Sequence, residues 1–256
     1  MDPAPAIGIG GGFAVVIASN VMEGGNPMSL LLPAPLILVF GTTLLISIAG
    51  GTMIDAKNIV SSLKLAFTGK VEPPAAMIPE VVGLAERARR EGLLSLEESL
   101  GTIEDPFLVK GVTMAIDGTD PEEVRDILEA EVYAKRAEDK QRAKFFADAG
   151  AYAPTIGIIG TVMGLVHVLE NLAAPEELGH LIAGAFVATL WGVTSANVIW
   201  MPISNRLKRL GELECARMEL AIEGVAAIQA GSNPRIIAQK LRSLLPAGQQ
   251  PEAEAA

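Results

Sequence analysis

Basic residues are missing from two long blocks of this sequence. Neither lysine nor arginine occurs in residues 1–51 or 150–202, whereas residues 52–149 contain 13 of them and residues 203–256 contain seven. Loops on the cytoplasmic side of a membrane carry an excess of lysine and arginine. The pattern predicts that each block without basic residues crosses the membrane and returns as a helical hairpin, and that both basic blocks are cytoplasmic.

Cysteine and aromatic residues are also scarce. The one cysteine, Cys215, excludes an internal disulfide and a cysteine-type metal cluster. Apolar residues make up 50% of the chain and aromatic residues 4%, which suits a membrane protein or a large helical core. The net charge of −10 argues against nucleic acid as a partner. No basic segment precedes the first apolar run, so we expect this run to remain as a membrane helix rather than to be cleaved as a signal.

Four apolar segments have the length of membrane spans, since a helix needs about 20 residues to cross a bilayer. They lie at residues 5–22, 30–50, 151–172 and 180–203. The first two form a hairpin within residues 1–51, and the last two form one within 150–203. We therefore predict an all-α integral membrane protein with four transmembrane helices in two hairpins. It would lie in the cytoplasmic membrane with both termini in the cytoplasm.

The block at residues 52–149 is predicted to be a helical cytoplasmic domain between the second and third spans. A helix over residues 54–67 is expected to continue the second span, and the capping-box pattern from Ser95 to Glu98 predicts the start of a short helix. Thr119-Asp120-Pro121 is a strong helix start, and no breaker follows it before Pro154. One helix should therefore run unbroken from the cytoplasm into the third span.

The C-terminal part of the chain returns to the cytoplasm. Residues 204–245 are predicted to form cytoplasmic helices, and the Ala/Glu/Gln-rich tail at 246–256 is predicted to be disordered. Basic residues cluster beside the predicted spans, where they set the topology and lie near anionic membrane lipid.

The third and fourth spans contain prolines and glycines that a simple lipid anchor does not need. Pro154 and Pro202 each remove a backbone hydrogen bond and bend their helix. They lie at the inner ends of antiparallel helices, where they act either as fixed kinks or as a paired hinge. Gly160 and Gly164 have the four-residue spacing at which membrane helices pack closely.

Polar side chains within these spans are few. Thr161 and Thr189 both fall inside the membrane, and their hydroxyls either bond their own backbone or offer oxygen atoms to a passing cation. Apart from Glu170 and His180 at the ends of the spans, His167 is the one residue there that can carry a proton, and a structural role or a proton-carrying role is open for it. A protein that moves ions along this path would therefore need a carboxylate from another chain.

Residues 154–165, PTIGIIGTVMGL, and residues 185–192, AFVATLWG, followed by Pro202, resemble the flagellar stator subunit of the MotA/PomA type. That subunit type belongs to the MotA/TolQ/ExbB proton-channel family. Residues 84–97 and 224–237 resemble it too, and the likeness spans nearly the whole chain in the expected order.

The resemblance implies an ion-driven rotary unit of the flagellar motor rather than an enzyme. In such a unit, five copies of this chain surround two copies of a B-type partner, which has one span, a membrane aspartate and a peptidoglycan-binding domain. Ions pass at the interface, and the ring turns against a rotor switch-complex protein. No cofactor is implied besides the translocated H+ or Na+. Some sodium-type members of the family carry a further hydroxyl near the position of Thr189, and the alanine at position 188 of this chain therefore favours protons.

The resemblance also assigns roles to residues. The pore hydroxyls are Thr161 and Thr189, the conformational hinges are Pro154 and Pro202, and the rotor-binding residues are Arg89, Arg90, Glu97 and Glu98. From the residues alone, the last four are equally typical of a solvated helix face.

Two other functions stay open at this point. An ExbB/TolQ-like energiser of an outer-membrane system has two spans that resemble the last two spans here, although it usually has three spans in all. A non-conducting membrane scaffold would need none of the proposed ion chemistry. No nucleophile–base pair, metal cluster or phosphate loop is visible in the sequence, which argues against an enzyme.

Overall fold

A computed structural model of the chain describes residues 2–246. Within them every regular element is a helix and no strand occurs, which confirms the all-helical fold class. The helices of this part are α1 (Ala4–Met22), α2 (Pro33–Ala49), α3 (Met53–Thr68), α4 (Ile78–Glu91), α5 (Pro106–Ile116), α6 (Pro121–Glu170), α7 (Pro175–Gln229) and α8 (Pro234–Ser243). The tail that was predicted to be disordered lies outside the described residues, apart from Pro246.

The chain divides into two compact units. Of the described residues, the first comprises 2–70 and Asp139–Arg209, and the second comprises Val71–Glu138 and 210–246. Two helices, α6 and α7, contain residues of both units and are unbroken where one unit ends and the other begins.

The first unit holds the apolar helices. Three helices of the described chain are long and apolar enough to cross a membrane, namely α1, the 50-residue α6 and the 55-residue α7. The segment predicted as the second span is shorter than expected, because Pro27–Leu30 forms a separate 3-10 turn capped by the Asn26 side chain. The apolar helix α2 starts only at Pro33, where proline costs little because the first turn has no intrahelical partner for its nitrogen.

The prediction that the second span continues into the next helix is wrong. The helix α2 ends at Ala49 and α3 begins at Met53. The backbone N–H of Asp55 donates to the Thr52 hydroxyl, and the N–H of Thr52 donates to the Asp55 carboxylate at 2.8 Å. This capping box starts a new helix after Gly50 and Gly51, which are poor helix formers.

The two long helices each accommodate a proline. In α6, Pro154 lies in the interior of a helix that begins at Pro121 and is capped by the side chain of Asp120. In α7, a π-helical turn at Ala196–Trp200 lies just before Pro202. Because proline has no N–H to donate, the wider turn, in which the Met201 N–H donates to the Ala196 carbonyl, re-pairs part of the backbone there.

The second unit has its own hydrophobic core, built from α4, α5, α8 and the adjoining parts of α6 and α7. Its most deeply buried large side chains include Val81, Leu108, Leu128, Val225 and Ile237. These residues are at most 1% exposed and come from five different helices, so the apolar stripe of each helix is buried against the others.

The short helix predicted to start at Ser95 is instead a 3-10 segment, Leu93–Thr102. The Ser95 hydroxyl donates to the carbonyl of Gly92 at 2.7 Å, so it does not cap a helix. Glu98, the other half of the expected capping box, accepts a hydrogen bond from Arg87 of α4. The hydrogen bond between Arg87 and Glu98 thus outweighs the local capping-box pattern.

A partly buried ion pair joins α5 to α7 within the second unit. The Asp105 carboxylate caps α5 by accepting from the N–H groups of Phe107 and Leu108, and it lies 2.8 Å from the Arg217 guanidinium. Burial of the neighbouring Glu80 carboxyl raises its pKa, and the negative charge of Asp105 adds to this shift.

A second charge cluster holds α8 in place. The Glu223 carboxylate on α7 lies 2.8 Å from the Arg125 guanidinium on α6 and 2.6 Å from the Lys240 ammonium on α8. The hydrogen bond from Arg125 lowers the pKa of Glu223 below its ordinary value of 4.5, and Lys240 adds to the shift.

The lowered pKa predicts a pH-dependent stability. Ionised Glu223 stabilises the folded state at pH values above 4.5, and this contribution is lost as the pH falls through its lowered folded-state pKa. We expect Glu223→Gln to cost about 1 kcal/mol at neutral pH and much less under acid conditions. Thermal unfolding of the purified protein between pH 3 and 8 measures this, with Glu97→Gln, which neutralises an exposed carboxylate, as the control. An equal loss for Glu223→Gln at every pH would contradict the assignment.

Candidate functional site

The side chains of Thr161 on α6 and Thr189 on α7 meet where the two helices cross. Their hydroxyl oxygens are in direct hydrogen-bond contact. The Thr161 hydroxyl donates to the Ala185 carbonyl at 2.9 Å, and both hydroxyl oxygens lie 3.3 Å from the Gly157 carbonyl oxygen. Two hydroxyls and two backbone carbonyls therefore place four oxygen atoms together in a partly buried spot.

Glycine allows this close crossing. A Cβ atom on Gly157 would lie 2.9 Å from the Ala188 carbonyl oxygen, and one on Gly192 would lie 2.7 Å from that of Ala153. Backbone atoms cannot move aside as a side chain can, so the two helices touch through their backbones here. Sequence reasoning missed this pair, although Ala153, Gly157 and Thr161 show the same four-residue spacing of small side chains.

The predicted packing glycines lie on the same face of α6. A Cβ atom on Gly160 would lie 2.6 Å from the Cβ of Ala188, and one on Gly164 would lie 2.6 Å from the Cβ of Ala185. The small residues of α6 therefore meet small residues of α7 on either side of the threonine pair.

Oxygen atoms of this kind can coordinate a small cation or relay a proton between hydroxyls, but they cannot hold a proton at neutral pH. The sequence contains no Asp or Glu between Asp148 and Glu170, and Asp148 forms an ion pair with Lys144. Within residues 2–246, no group of three or more His, Cys, Asp or Glu side chains is placed to hold a metal ion. No carboxylate of α6 therefore lies beside the threonines.

The two turns disturbed by proline lie against each other. Pro154 has no N–H to donate to the carbonyl of Gly150. A Cβ atom on Gly150 would lie 2.8 Å from the Met201 sulfur and 3.5 Å from Trp200, at the end of the π-helical turn that precedes Pro202. Weakened backbone bonding on α6 thus adjoins weakened bonding on α7.

The structure does not bring His167 to the threonine pair. Its Nδ1 lies 3.2 Å from the carboxylate of Glu170, one turn further along α6, and both side chains are exposed. His167 lies in the last turn of α6, at the C-terminal end of the helix.

Sequence reasoning also missed an aromatic cluster around Trp191. The indole N–H of Trp191 donates to the Leu30 carbonyl at 2.6 Å, and its ring centroid lies 6.1 Å from that of Phe13 and 5.9 Å from that of Phe40. These contacts join α1 and α2 to α7. The available signal was that the only two tryptophans of the sequence, Trp191 and Trp200, both fall in the predicted fourth span.

The residues predicted to contact a rotor lie where α4 ends and the 3-10 segment begins. Arg89, Arg90, Glu97 and Glu98 are all exposed. Glu98, however, is already engaged, because the Arg87 guanidinium donates to it at 2.5 Å and also to Ser99 at 2.8 Å and Glu91 at 3.2 Å. The hydrogen bond to Glu98 is the largest cause that raises the pKa of Arg87. Sequence reasoning did not assign this role to Arg87, although Glu91 four residues later is a typical helix partner.

Known proteins resemble this chain along nearly its full length. A family model described as the MotA/TolQ/ExbB proton channel family matches residues 99–220. Motility protein A of Bacillus subtilis (strain 168) is 39% identical over 249 residues, which cover 96% of this chain and 92% of that protein. Chemotaxis protein PomA of Vibrio alginolyticus is 34% identical over 252 residues, which cover 98% of both.

Solved structures share the fold as well. The structure of C. jejuni MotAB matches with a TM-score of 0.91 and 28% identity, covering 96% of this chain and 97% of that one. The flagellar MotAB stator complex from Bacillus subtilis matches with a TM-score of 0.87 and 36% identity, covering 95% and 96%.

The close crossing of α6 and α7 predicts opposite results for two glycines of α7. Alanine normally favours a helix over glycine by up to about 1 kcal/mol. Gly184→Ala meets only Leu32, at 3.8 Å, so we expect unchanged or slightly higher thermal stability. Gly192→Ala forces a methyl group against the Ala153 carbonyl, and we expect it to cost about 1–3 kcal/mol and to lower the melting temperature in detergent. Equal melting temperatures for the two variants would show that the crossing is looser than described.

Proposed function

Because the chain belongs to the MotA/TolQ/ExbB family, with the flagellar stator subunits named motility protein A as relatives, we propose that it conducts ions together with a B-type partner and converts their flow into torque on the flagellar rotor. The observation that carries this proposal is the cluster of four oxygen atoms around Thr161 and Thr189, which lies in an apolar segment without a carboxylate of its own. Solved neighbours titled MotAB support a second subunit for this chain.

The proposed topology has four spans in the cytoplasmic membrane and both termini in the cytoplasm. The helix α2 is about 26 Å long at 1.5 Å per residue, which is short for a hydrocarbon core of about 30 Å and requires it to stand almost upright. Asp2 supports a cytoplasmic N-terminus, because its carboxylate lies 2.7 Å from the guanidinium of Arg206 in the basic segment after the last span. By the distribution of basic residues, Arg206 is cytoplasmic.

In the proposed mechanism, five copies surround two copies of the partner, whose membrane aspartate faces the threonine pair. The hydroxyls of Thr161 and Thr189 deliver the ion to that carboxylate or receive it from there. One elementary charge that crosses about 100 mV releases roughly 2.3 kcal/mol, which is enough to bias rotation between packed helices. Ala188, which is 2% exposed, adds no hydroxyl to the cluster, so protons are favoured over sodium ions as the coupling ion.

Pro154 and Pro202 serve as a paired hinge in this proposal. Their two adjoining turns lack regular hydrogen bonds, so they bend at lower cost than the rest of α6 and α7. A change of bend there is carried along helices that continue without interruption to Pro121 and Gln229.

Arg89, Arg90 and Glu97 are proposed to contact the rotor directly. Glu98 instead positions the 3-10 segment through Arg87. Exposed ion pairs of this kind are weak and screened by salt, so they form and release quickly, which suits a contact that is remade at every step.

Removal of one hydroxyl tests the ion path. Thr189→Val keeps the shape of the side chain and deletes an oxygen of the cluster, and we expect swimming to be lost while the B-type partner still co-purifies. Thr155→Val is the control, because the Thr155 hydroxyl is exposed on α6 and donates to the Tyr152 carbonyl of the same helix. Normal swimming of the Thr189→Val cells would favour the non-conducting scaffold.

The coupling ion is tested by swimming speed. We expect the speed to be independent of sodium concentration and to fall to zero with a protonophore. The reason is that Ala188 adds no third hydroxyl to those of Thr161 and Thr189. A speed that rises with sodium and resists the protonophore would reverse the choice of ion without affecting the ion path.

A further inference from the structure

The helix α3 exposes large apolar side chains on the side opposite to its buried residues. Met53, Ile54 and Val60 are 68%, 71% and 76% exposed, and Leu63 is 39% exposed. Apolar side chains that stay exposed as a group mark contact with a membrane or with another protein.

The buried side of α3 holds it against the other helices of the first unit. Ser62 and Ala66 are 2% and 1% exposed. Ala66 belongs to an apolar cluster with Phe146 of α6 and Ile203 of α7, and Ile59 packs against this cluster. The exposed face of α3 therefore points away from the bundle of the first unit.

Both ends of α3 lie beside the cytoplasmic ends of spans in the proposed topology. The helix begins at Met53, shortly after α2 ends at Ala49. At its other end, the Gly69 carbonyl accepts from the Arg206 guanidinium at 3.2 Å, and the same guanidinium binds Asp2 just before α1. A helix of 16 residues, about 24 Å long, that joins two such points runs along the membrane surface rather than into the cytoplasm.

Two lysines lie in the middle of the exposed face. Lys57 and Lys64 are seven residues apart, so they stand two turns apart on the same side of α3, and both are exposed. Asp55, the one acidic residue of α3, is used in the capping box of its first turn. The exposed face thus has a charge of two positive beside its apolar side chains. This combination is typical of helices that lie on an anionic lipid surface.

We propose that α3 is an interfacial helix that binds anionic phospholipids of the cytoplasmic leaflet. Met53, Ile54 and Val60 enter the outer part of the acyl-chain layer, while Lys57 and Lys64 extend to the phosphate headgroups. A lipid surface supplies negative charge and apolar chains side by side along the full length of the helix. The proposal rests on the four-span topology put forward above.

The position of α3 is tested by fluorescence quenching. The intact complex of this chain with its B-type partner is placed in nanodiscs whose phospholipids carry bromine on the acyl chain, and the emission of the wild-type complex is subtracted. We expect the emission added by Val60→Trp to be strongly quenched. Tyr133→Trp on α6 is the control, because Tyr133 is equally exposed, at 76%, in the predicted cytoplasmic block, and its emission should persist.

Val15→Trp separates failure of this proposal from failure of the topology, because Val15 is 69% exposed in the middle of α1. Quenching of Val15→Trp without quenching of Val60→Trp overturns the lipid contact of α3 and leaves the topology intact. An aqueous quencher, acrylamide, then shows whether the face of α3 meets water or is covered by a neighbouring protein. Persistent emission from both variants overturns the four-span topology and the proposal together.

The role of the two lysines is tested by lipid binding to the same complex in detergent. We expect anionic phosphatidylglycerol to bind more tightly than zwitterionic phosphatidylcholine. Replacement of Lys57 and Lys64 by glutamine should weaken phosphatidylglycerol binding about fivefold for each lysine at low salt, which corresponds to about 1 kcal/mol per residue. Added salt should reduce this difference.

The matched control for the lysines is the double variant Arg89→Gln with Arg90→Gln. It also removes two positive charges, but from the exposed end of α4 in the second unit. An equal loss of phosphatidylglycerol binding in both double variants, or no loss in the lysine variant, overturns the assignment of headgroup binding to Lys57 and Lys64.

Discussion

The direct backbone contact between α6 and α7 is the constraint on which the candidate ion site depends. Gly157 and Gly192 leave no room for a methyl group on either helix, and this closeness brings Thr161 within hydrogen-bond distance of the Ala185 carbonyl on the opposite helix. If the helices stood one methyl group further apart, each hydroxyl would turn back to its own backbone, and the four oxygen atoms would no longer form one cluster.

The second unit is organised by charge as much as by its apolar core. Arg87, Arg217 and Glu223 each pair with groups from another element, and these pairs fix the 3-10 segment, α5 and α8. Once such residues are engaged internally, the charges that remain exposed stand out. Arg89 and Arg90 therefore differ from Arg87 on the same helix in what surrounds them rather than in residue type.

Much of the fold could be predicted from the sequence, because it is signalled either by short local motifs or by long segments that lack one type of residue. The missing breaker between Pro121 and Pro154 predicted one helix, as observed. The two membrane hairpins, which the blocks without lysine and arginine indicate, stay a prediction. The start of α3 was missed although Thr52 and Asp55 form a readable capping box, because the apolar character on both sides suggested continuity. The contact of Glu98 could not be predicted, since it depends on Arg87 of a different element.

The ion pair between Asp2 and Arg206 has a consequence for how the chain is made. The ribosome synthesises residue 2 long before residue 206, so this ion pair forms only after most of the first unit has been made. Until then α1, which contains no buried residue even in the finished fold, lacks this ion pair and relies on contacts such as that of Phe13 with Trp191. The ion pair that ties the start of the first helix to α7 is therefore completed only after residue 206 has been added.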